Sequence, residues 1–201
     1  MNKDFSNIII FNNKDINYIK EKIIKILVDL GHEIKDESDY KYQLDILHDS
    51  INNICIISSK FFDFSNTNEN KSVIRKIAKR VAQDTFMVTS KKDFSIIEKY
   101  SFNKRKYDYI CFGNQEILIN FGYDEAYAIY MYKEIWKNHF VGRNTINDLD
   151  KILNEKDTYF ENYEIILEIL KLYGIKFELA SYNLGDSITN SDIIKEIIFF
   201  K

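Results

Sequence analysis

The hydrophobic periodicity of this chain, mixed up to Phe112, becomes mainly helical beyond it, and that change near Gly113 constrains its fold more than any other feature. Up to Phe112 apolar residues come in short runs or alternate with polar ones, as strands separated by helices require. Beyond Phe112 they recur at helical spacing. A chain so divided reads as α+β: a sheet-rich part over 1–112, followed by a mainly helical part over 113–201 packed on it. No stretch rich in Gly, Pro or Ser separates the halves, so residues 1–201 are expected to form one domain with a candidate seam near Gly113. With 201 residues, 45% of them apolar, a core of adequate size needs neither metal nor disulfide.

Within the first part, Ile8 to Phe11 reads as a buried strand. A helix from about Lys14 to Leu30 follows, with Ile16, Ile19, Ile23, Ile26, Leu27 and Leu30 on one face and Gly31 as its stop. Tyr42, Leu44 and Ile46 alternate with Lys41, Gln43 and Asp45. After a loop from His48 to Asn53 comes the run Ile54 to Ile57, giving a hairpin. A second helix is expected from about Asn70 to Gln83, striped by Val73, Ile74, Ile77, Ala78 and Val81, and Thr85 to Thr89 resumes as strand. Strand, helix, strand, strand, helix, strand is the order of a ferredoxin-like split βαβ unit. It is extended by a hairpin, Phe94 to Phe102 and Arg105 to Phe112, about a two-residue turn at Asn103-Lys104 in which Asn tolerates positive φ. That register sets Lys99 against Asp108 on one face. On the other it sets Ile96 against Cys111, Glu98 against Tyr109 and Tyr100 against Tyr107.

The second part carries helical patterns at about Asn114 to Asn120, Asp124 to Asn138, Ile146 to Leu153 and Phe160 to Tyr173. Thr145 with Asp148 forms a variant capping box, and Gly174 is a C-terminal stop. Ile193 to Phe200 fits either a strand or a helix.

The N-terminus lacks a basic region followed by an apolar core, and no run approaches a membrane span, so a cytoplasmic protein without membrane contact is expected. Cys55 and Cys111 lie in apolar strand-like runs, which points to buried, reduced thiols. A net charge of -3 gives no general attraction to nucleic acid. Lys71, Arg75, Lys76, Lys79 and Arg80 on one helix and Lys104, Arg105 and Lys106 at a hairpin tip are locally basic. The helix lacks interleaved aromatics, however, so a nucleic-acid partner is not expected.

No phosphate-loop, dinucleotide, nucleophile-elbow or paired-cysteine motif occurs, and six glycines offer little from which to build an anion-cradling loop. No catalytic residue, cofactor or metal is therefore assigned. His32, His48 and His139 stand far apart; the first two read as surface or capping residues and His139 as a partly buried hydrogen-bonding one. Glu98, the one carboxylate on an otherwise apolar strand face, would have a raised pKa if desolvated; the alternative is a hydrogen bond to Tyr109 or another polar partner. Glu161, Glu164 and Glu168 recur opposite the stripe Phe160, Tyr163, Ile166, Leu167, Leu170. Asp148, Asp150, Glu155 and Asp157 precede them. This acidic face is either solvated, with Lys151, Lys156 and Lys171 as partial neutralisers, or a docking surface for a basic protein.

Tyr107-Asp108, Phe112-Gly113-Asn114, Trp136, His139-Phe140, Gly142-Arg143-Asn144-Thr145, Leu153-Asn154 and Leu172-Tyr173-Gly174-Ile175 together resemble a bacterial family found beside polymorphic toxins, whose members are read as immunity proteins. The resemblance covers about the C-terminal half, and its motifs are structural punctuation, so no catalytic residue is carried over. It implies a cytoplasmic inhibitor that binds a toxin domain stoichiometrically, with Asp148, Asp150, Glu161, Glu164 and Glu168 as the partner-binding residues if that domain is basic. Two other readings stay open: a small enzyme or ligand-binding protein with a site outside the known motifs, the enzyme gathering Glu98, Tyr109 and His139 in a pocket, and a structural subunit of an oligomer.

Overall fold

The computed structural model describes residues 4–11, 15–62, 67–123, 133–155, 161–184, 186–188 and 191–201. Among them, eight strands form one antiparallel sheet. They are β1 (Phe5–Phe11), β2 (Ile34–Lys35), β3 (Tyr42–Asp49), β4 (Ile54–Ser58), β5 (Thr85–Ser90), β6 (Phe94–Ser101), β7 (Lys106–Gly113) and β8 (Ile193–Phe200), in the order β2-β8-β3-β4-β1-β5-β6-β7. The helices are α1 (Ile16–Asp29), α2 (Thr67–Val81), α3 (Gln115–Asn120), α4 (Lys133–Trp136), α5 (Ile146–Asn154), α6 (Asn162–Lys171) and α7 (Phe177–Ala180).

Both faces of the sheet are covered, which is why Ile8 to Phe11 of β1 and Ile54 to Ile57 of β4 are apolar at successive positions. In β1, Ile8 and Ile10 join a core beneath α1 and α2, while Ile9 and Phe11 join a second core shared with α4, α5 and α6. All three isoleucines are fully buried. α1 contributes Ile16, Ile19, Ile23, Ile26 and Leu27 to the first core, and α6 contributes Ile165, Ile166, Leu167, Ile169 and Leu170 to the second. Trp136 of α4 is wholly buried, and its indole Nε1 donates to Asp108 Oδ2 at 2.8 Å.

Strand β8 resolves the ambiguity of the C-terminal segment. It pairs with β3 along eight residues, from Tyr42 opposite Phe200 to Asp49 opposite Ile193, and Ile198 and Phe200 enter the first core. Among the described residues after Gly113 one strand accompanies the helices, and that strand lies inside the sheet built by the first part.

The β6–β7 register is as expected, with Lys99 opposite Asp108, Glu98 opposite Tyr109, Tyr100 opposite Tyr107 and Ile96 opposite Cys111. Its turn is not. The ladder closes at Ser101 and Lys106, and the positive φ of 53° falls on Arg105, not on Asn103. Arg105 N–H still reaches Phe102 O at 3.3 Å, but Phe102 N–H donates to the Asp84 carboxylate at 2.8 Å and is lost to the ladder. His48 also differs from expectation. The β3–β4 ladder includes it opposite Cys55, so its ring is buried, and the turn is confined to residues 50–53.

Helix ends follow local chemistry. Gly31 and Gly174, at φ of 89° and 72°, terminate α1 and α6 as expected. Thr145 and Asp148 form a reciprocal capping box at the start of α5, and the Gly142–Thr145 turn is tied to the end of α6 by Asn144 Nδ2, which donates to Leu172 O at 3.0 Å. The helix expected over Asp124 to Asn138 is described only as α4. Residues 124–132, like Lys156, Asp157 and Phe160, lie outside the described residues.

Candidate functional site

The acidic residues sit on α5 and α6, and most are engaged locally. Asp148 Oδ2 accepts from the Thr145 N–H at 2.6 Å and its hydroxyl at 2.9 Å, and these bonds hold its carboxyl below the usual carboxylate range. Glu161 is the N-cap of α6, and its backbone N–H donates to Glu164 Oε2 at 3.3 Å in a second reciprocal box. Asp150 pairs with Lys133 at 3.3 Å, and Glu168 pairs with Lys171. Both boxes place a carboxylate at a helix N-terminus, where the backbone dipoles favour it.

Glu98, Tyr109 and His139 do not converge. Glu98 and Tyr109 point to the α1–α2 face of the sheet, where the buried Glu98 carboxylate accepts the hydroxyl of Tyr107. Burial and that carboxylate keep the Tyr107 and Tyr123 hydroxyls protonated far above the ordinary tyrosine range. His139 lies on the opposite face, stacked on Phe11 with ring centroids 4.5 Å apart. Its Nε2 is 3.2 Å from Asp84 Oδ2. Burial alone would raise the Asp84 carboxyl, but bonds from His139 and the Phe102 N–H, with the nearby charge of Lys99, outweigh it and hold the group low. The enzyme reading that combined Glu98, Tyr109 and His139 is therefore divided by the sheet.

Beside Asp84 lies a group whose surroundings the strand pattern does not reveal. Lys99 is fully buried, with its Nζ 4.7 Å from the ring centre of Phe86 and 4.8 Å from that of Tyr173. It donates to Asn138 O at 3.1 Å and weakly to Trp136 O at 3.5 Å. Asp108, opposite it in register, instead takes the Trp136 indole and the Tyr109 N–H. Desolvation pulls the Lys99 ammonium down to about 7, only partly offset by Asp84.

Two surface features have the character of binding sites. The first is a cleft of about 610 Å³ lined by Arg75 and Lys79 of α2 and by Tyr100, Phe102, Arg105, Lys106 and Tyr107 of the β6–β7 hairpin. The helix and the hairpin tip, each basic in the sequence, meet here, and the aromatics absent from the helix come from the hairpin. Their separation of about 30 positions hides this from any local pattern.

The second is the outer edge of β8. β2 covers it only at Phe199 and Phe200, so among the described residues no strand pairs with Ile193 to Ile198 on that side. Ile194 and Ile197 are 49% and 41% exposed. The charged residues that would guard such an edge are drawn over the sheet faces: Lys195 pairs with the buried Asp45 at 2.7 Å, and Glu196 with Lys20 at 2.5 Å. The opposite edge, β7, has no exposed residue.

Among the described residues no group of three His, Cys, Asp or Glu side chains is placed to hold a metal ion, and no helix is long and apolar enough to cross a membrane. No family model, no curated protein and no solved structure matches this chain.

Proposed function

We propose that this chain is a protein-binding inhibitor of the immunity type, a cytoplasmic bacterial protein that neutralises a toxin domain by stoichiometric binding. The observation that carries the protein-binding part is the open edge of β8. A row of unpaired backbone N–H and C=O groups flanked by exposed isoleucines matches an extended polypeptide, which adds a strand through main-chain hydrogen bonds and seats alternate side chains. The toxin as partner rests on the sequence resemblance around Trp136, Gly142 to Thr145 and Leu172 to Ile175. We also read β1 to β5 as a ferredoxin-like split βαβ unit. The strand order β3-β4-β1-β5, with α1 and α2 over one face, supports that reading.

A second docking surface, formed by Asp148, Asp150, Glu161, Glu164 and Glu168, is favoured by the capping boxes, which immobilise carboxylates before a partner arrives. The α6 helix packs over β5 and β6, about 24 Å across the sheet from β8 at the usual strand spacing, so a small partner meets one surface or the other.

The test is a tagged pull-down from the source cell, expressing any toxin encoded next to this gene, at low and moderate salt with mass-spectrometric readout. Recovery of one protein in stoichiometric amount, lost in an Ile194→Lys/Ile197→Lys variant that melts normally, is the expected result. Retention by that variant, with loss on charge reversal of Glu161, Glu164 and Glu168, would transfer the docking site to α6. Recovery of the bait alone would remove the inhibitor reading.

A further inference from the structure

We propose that the cleft between α2 and the tip of the β6–β7 hairpin binds a phosphate-bearing ligand with a planar base, a nucleotide in chemical class. The chain as a whole is acidic, with a net charge of -3, yet four cations from two distant segments line this one concavity. Arg75 and Lys79 stand one helical turn apart on α2, and Arg105 and Lys106 face them from the hairpin. Lys106 is paired with Glu134 at 2.7 Å. Among the described residues, Arg75, Lys79 and Arg105 have no carboxylate partner. Mutual repulsion of three such charges is relieved when an anion with several oxygens occupies the space between them.

Three features distinguish the cleft from a solvated basic helix face. Its size, about 610 Å³, lies within the range of small-molecule sites. Its walls are aromatic: Tyr100 is buried, and Phe102 and Tyr107 are half-buried, leaving ring surface on which a base can stack. Its most organised cation is held in place. The Arg75 guanidinium lies 4.8 Å above the Tyr107 ring, and that ring is fixed by its hydroxyl, which donates to the buried Glu98. A stacked guanidinium keeps its N–H edge in one plane, the geometry that suits bidentate contact with phosphate. Glu98 thus serves this site from beneath by orienting Tyr107. Lys79 also borders a hollow of about 320 Å³ shared with Lys76, Arg80 and Asp29, and there Arg80 is already paired with Asp29.

The site is independent of the inhibitor reading, and each can fail alone. The experiment is isothermal titration of the full chain with ATP, tripolyphosphate, a single-stranded oligothymidylate and a polyglutamate peptide, at about 50 and 200 mM salt. ATP and tripolyphosphate are expected to bind saturably and to weaken as salt rises. An Arg75→Gln/Lys79→Gln/Arg105→Gln variant, altered only at exposed side chains and checked by its melting curve, should lose roughly tenfold or more in affinity for both. Phe102→Leu should weaken ATP and leave tripolyphosphate unchanged. Oligothymidylate binding tighter than ATP would assign the phosphate and base to a nucleic-acid strand; weaker binding would assign them to a free nucleotide. No saturable binding of any phosphate probe, affinity that survives the triple variant, or preference for polyglutamate over ATP would overturn the proposal.

Discussion

Replacing Lys99 with Met tests how a lone ammonium is accommodated in the second core. The side chain is fully buried against Phe86 and Tyr173, and its proton affinity is lowered by desolvation from the ordinary 10.5 to about 7. Below pH 7 both the folded and the unfolded chain carry the proton, and the fold bears the full cost of the buried charge, roughly 5 kcal/mol at 1.36 kcal/mol per pH unit. Between pH 7 and 10.5 the unfolded chain holds a proton that the folded one has released, so this residue makes stability rise with pH. From pH 6 to pH 9 the gain is roughly 3 kcal/mol. Lys99→Met removes the charge and keeps most of the packing, but Asn138 O loses its Nζ donor, a penalty of roughly 1 to 3 kcal/mol. The variant should therefore be more stable than the parent by about 2 to 4 kcal/mol at pH 6 and close to it at pH 9. Urea denaturation of both proteins across that range is the assay. Taking the difference removes the contribution of His48, whose lowered pKa also makes stability rise with pH, and the alkaline-side contribution of Cys55, which runs the other way. Parallel stability curves for parent and variant would refute the buried, displaced titration of Lys99.

Trp136→Ala should cost roughly 3 to 5 kcal/mol in thermal or urea unfolding, because it empties a fully buried site and strands the Asp108 carboxylate; a variant that melts like the parent would contradict this core role. Gly113→Ala should destabilise by roughly 2 kcal/mol or more, since φ is 115° and a Cβ would stand 2.3 Å from Asp93 O and 2.7 Å from Phe94 Cα; wild-type stability would show that this backbone crossing relaxes freely. Glu164→Ala should cost about 1 kcal/mol by opening the α6 capping box, and Glu164→Gln much less; equal losses by urea denaturation would mean that charge rather than capping matters there. Cys55 and Cys111 are both buried and outside any disulfide, and burial pushes the Cys55 thiol up to about 12, so neither should react with a disulfide reagent at pH 8 faster than the protein unfolds.

Much of the first part was legible because its signals are short in range. Pairings that agree with one another across a turn at Asn103-Lys104, Ile96 with Cys111, Lys99 with Asp108 and Tyr100 with Tyr107, were enough to set the hairpin register. The turn at Asn103-Lys104 was found, but not that the ladder stops one pair early, because Phe102 gives its N–H to Asp84, a residue that no hairpin rule includes. His48 was misplaced for a similar reason: a polar residue at the end of an apolar run reads as loop until Cys55 is seen across the ladder. The candidate sites were less legible still. The acidic residues were found, and with them the Asp148 capping box, but not that Glu164 braces the start of α6, and the basic cleft was divided between a helix and a hairpin whose approach no local pattern encodes.

What the sequence determined by itself is what steric preference and burial decide within a few residues: the strand at Ile8 to Phe11, the amphipathic faces of α1 and α6, the glycine stops and the Thr145–Asp148 capping box. What only the tertiary structure decided is which surfaces meet. Ile193 to Phe200 became a strand because β3 offered eight residues of unpaired backbone, and an isolated segment of that composition has no such partner to satisfy its N–H and C=O groups. Lys99 became a buried cation, and Arg75 a neighbour of Arg105, because the sheet brings α4 and α2 over opposite faces of one hairpin. Contacts of that kind come from the closure of long loops, whose entropy is repaid by the whole core rather than by the residues that touch.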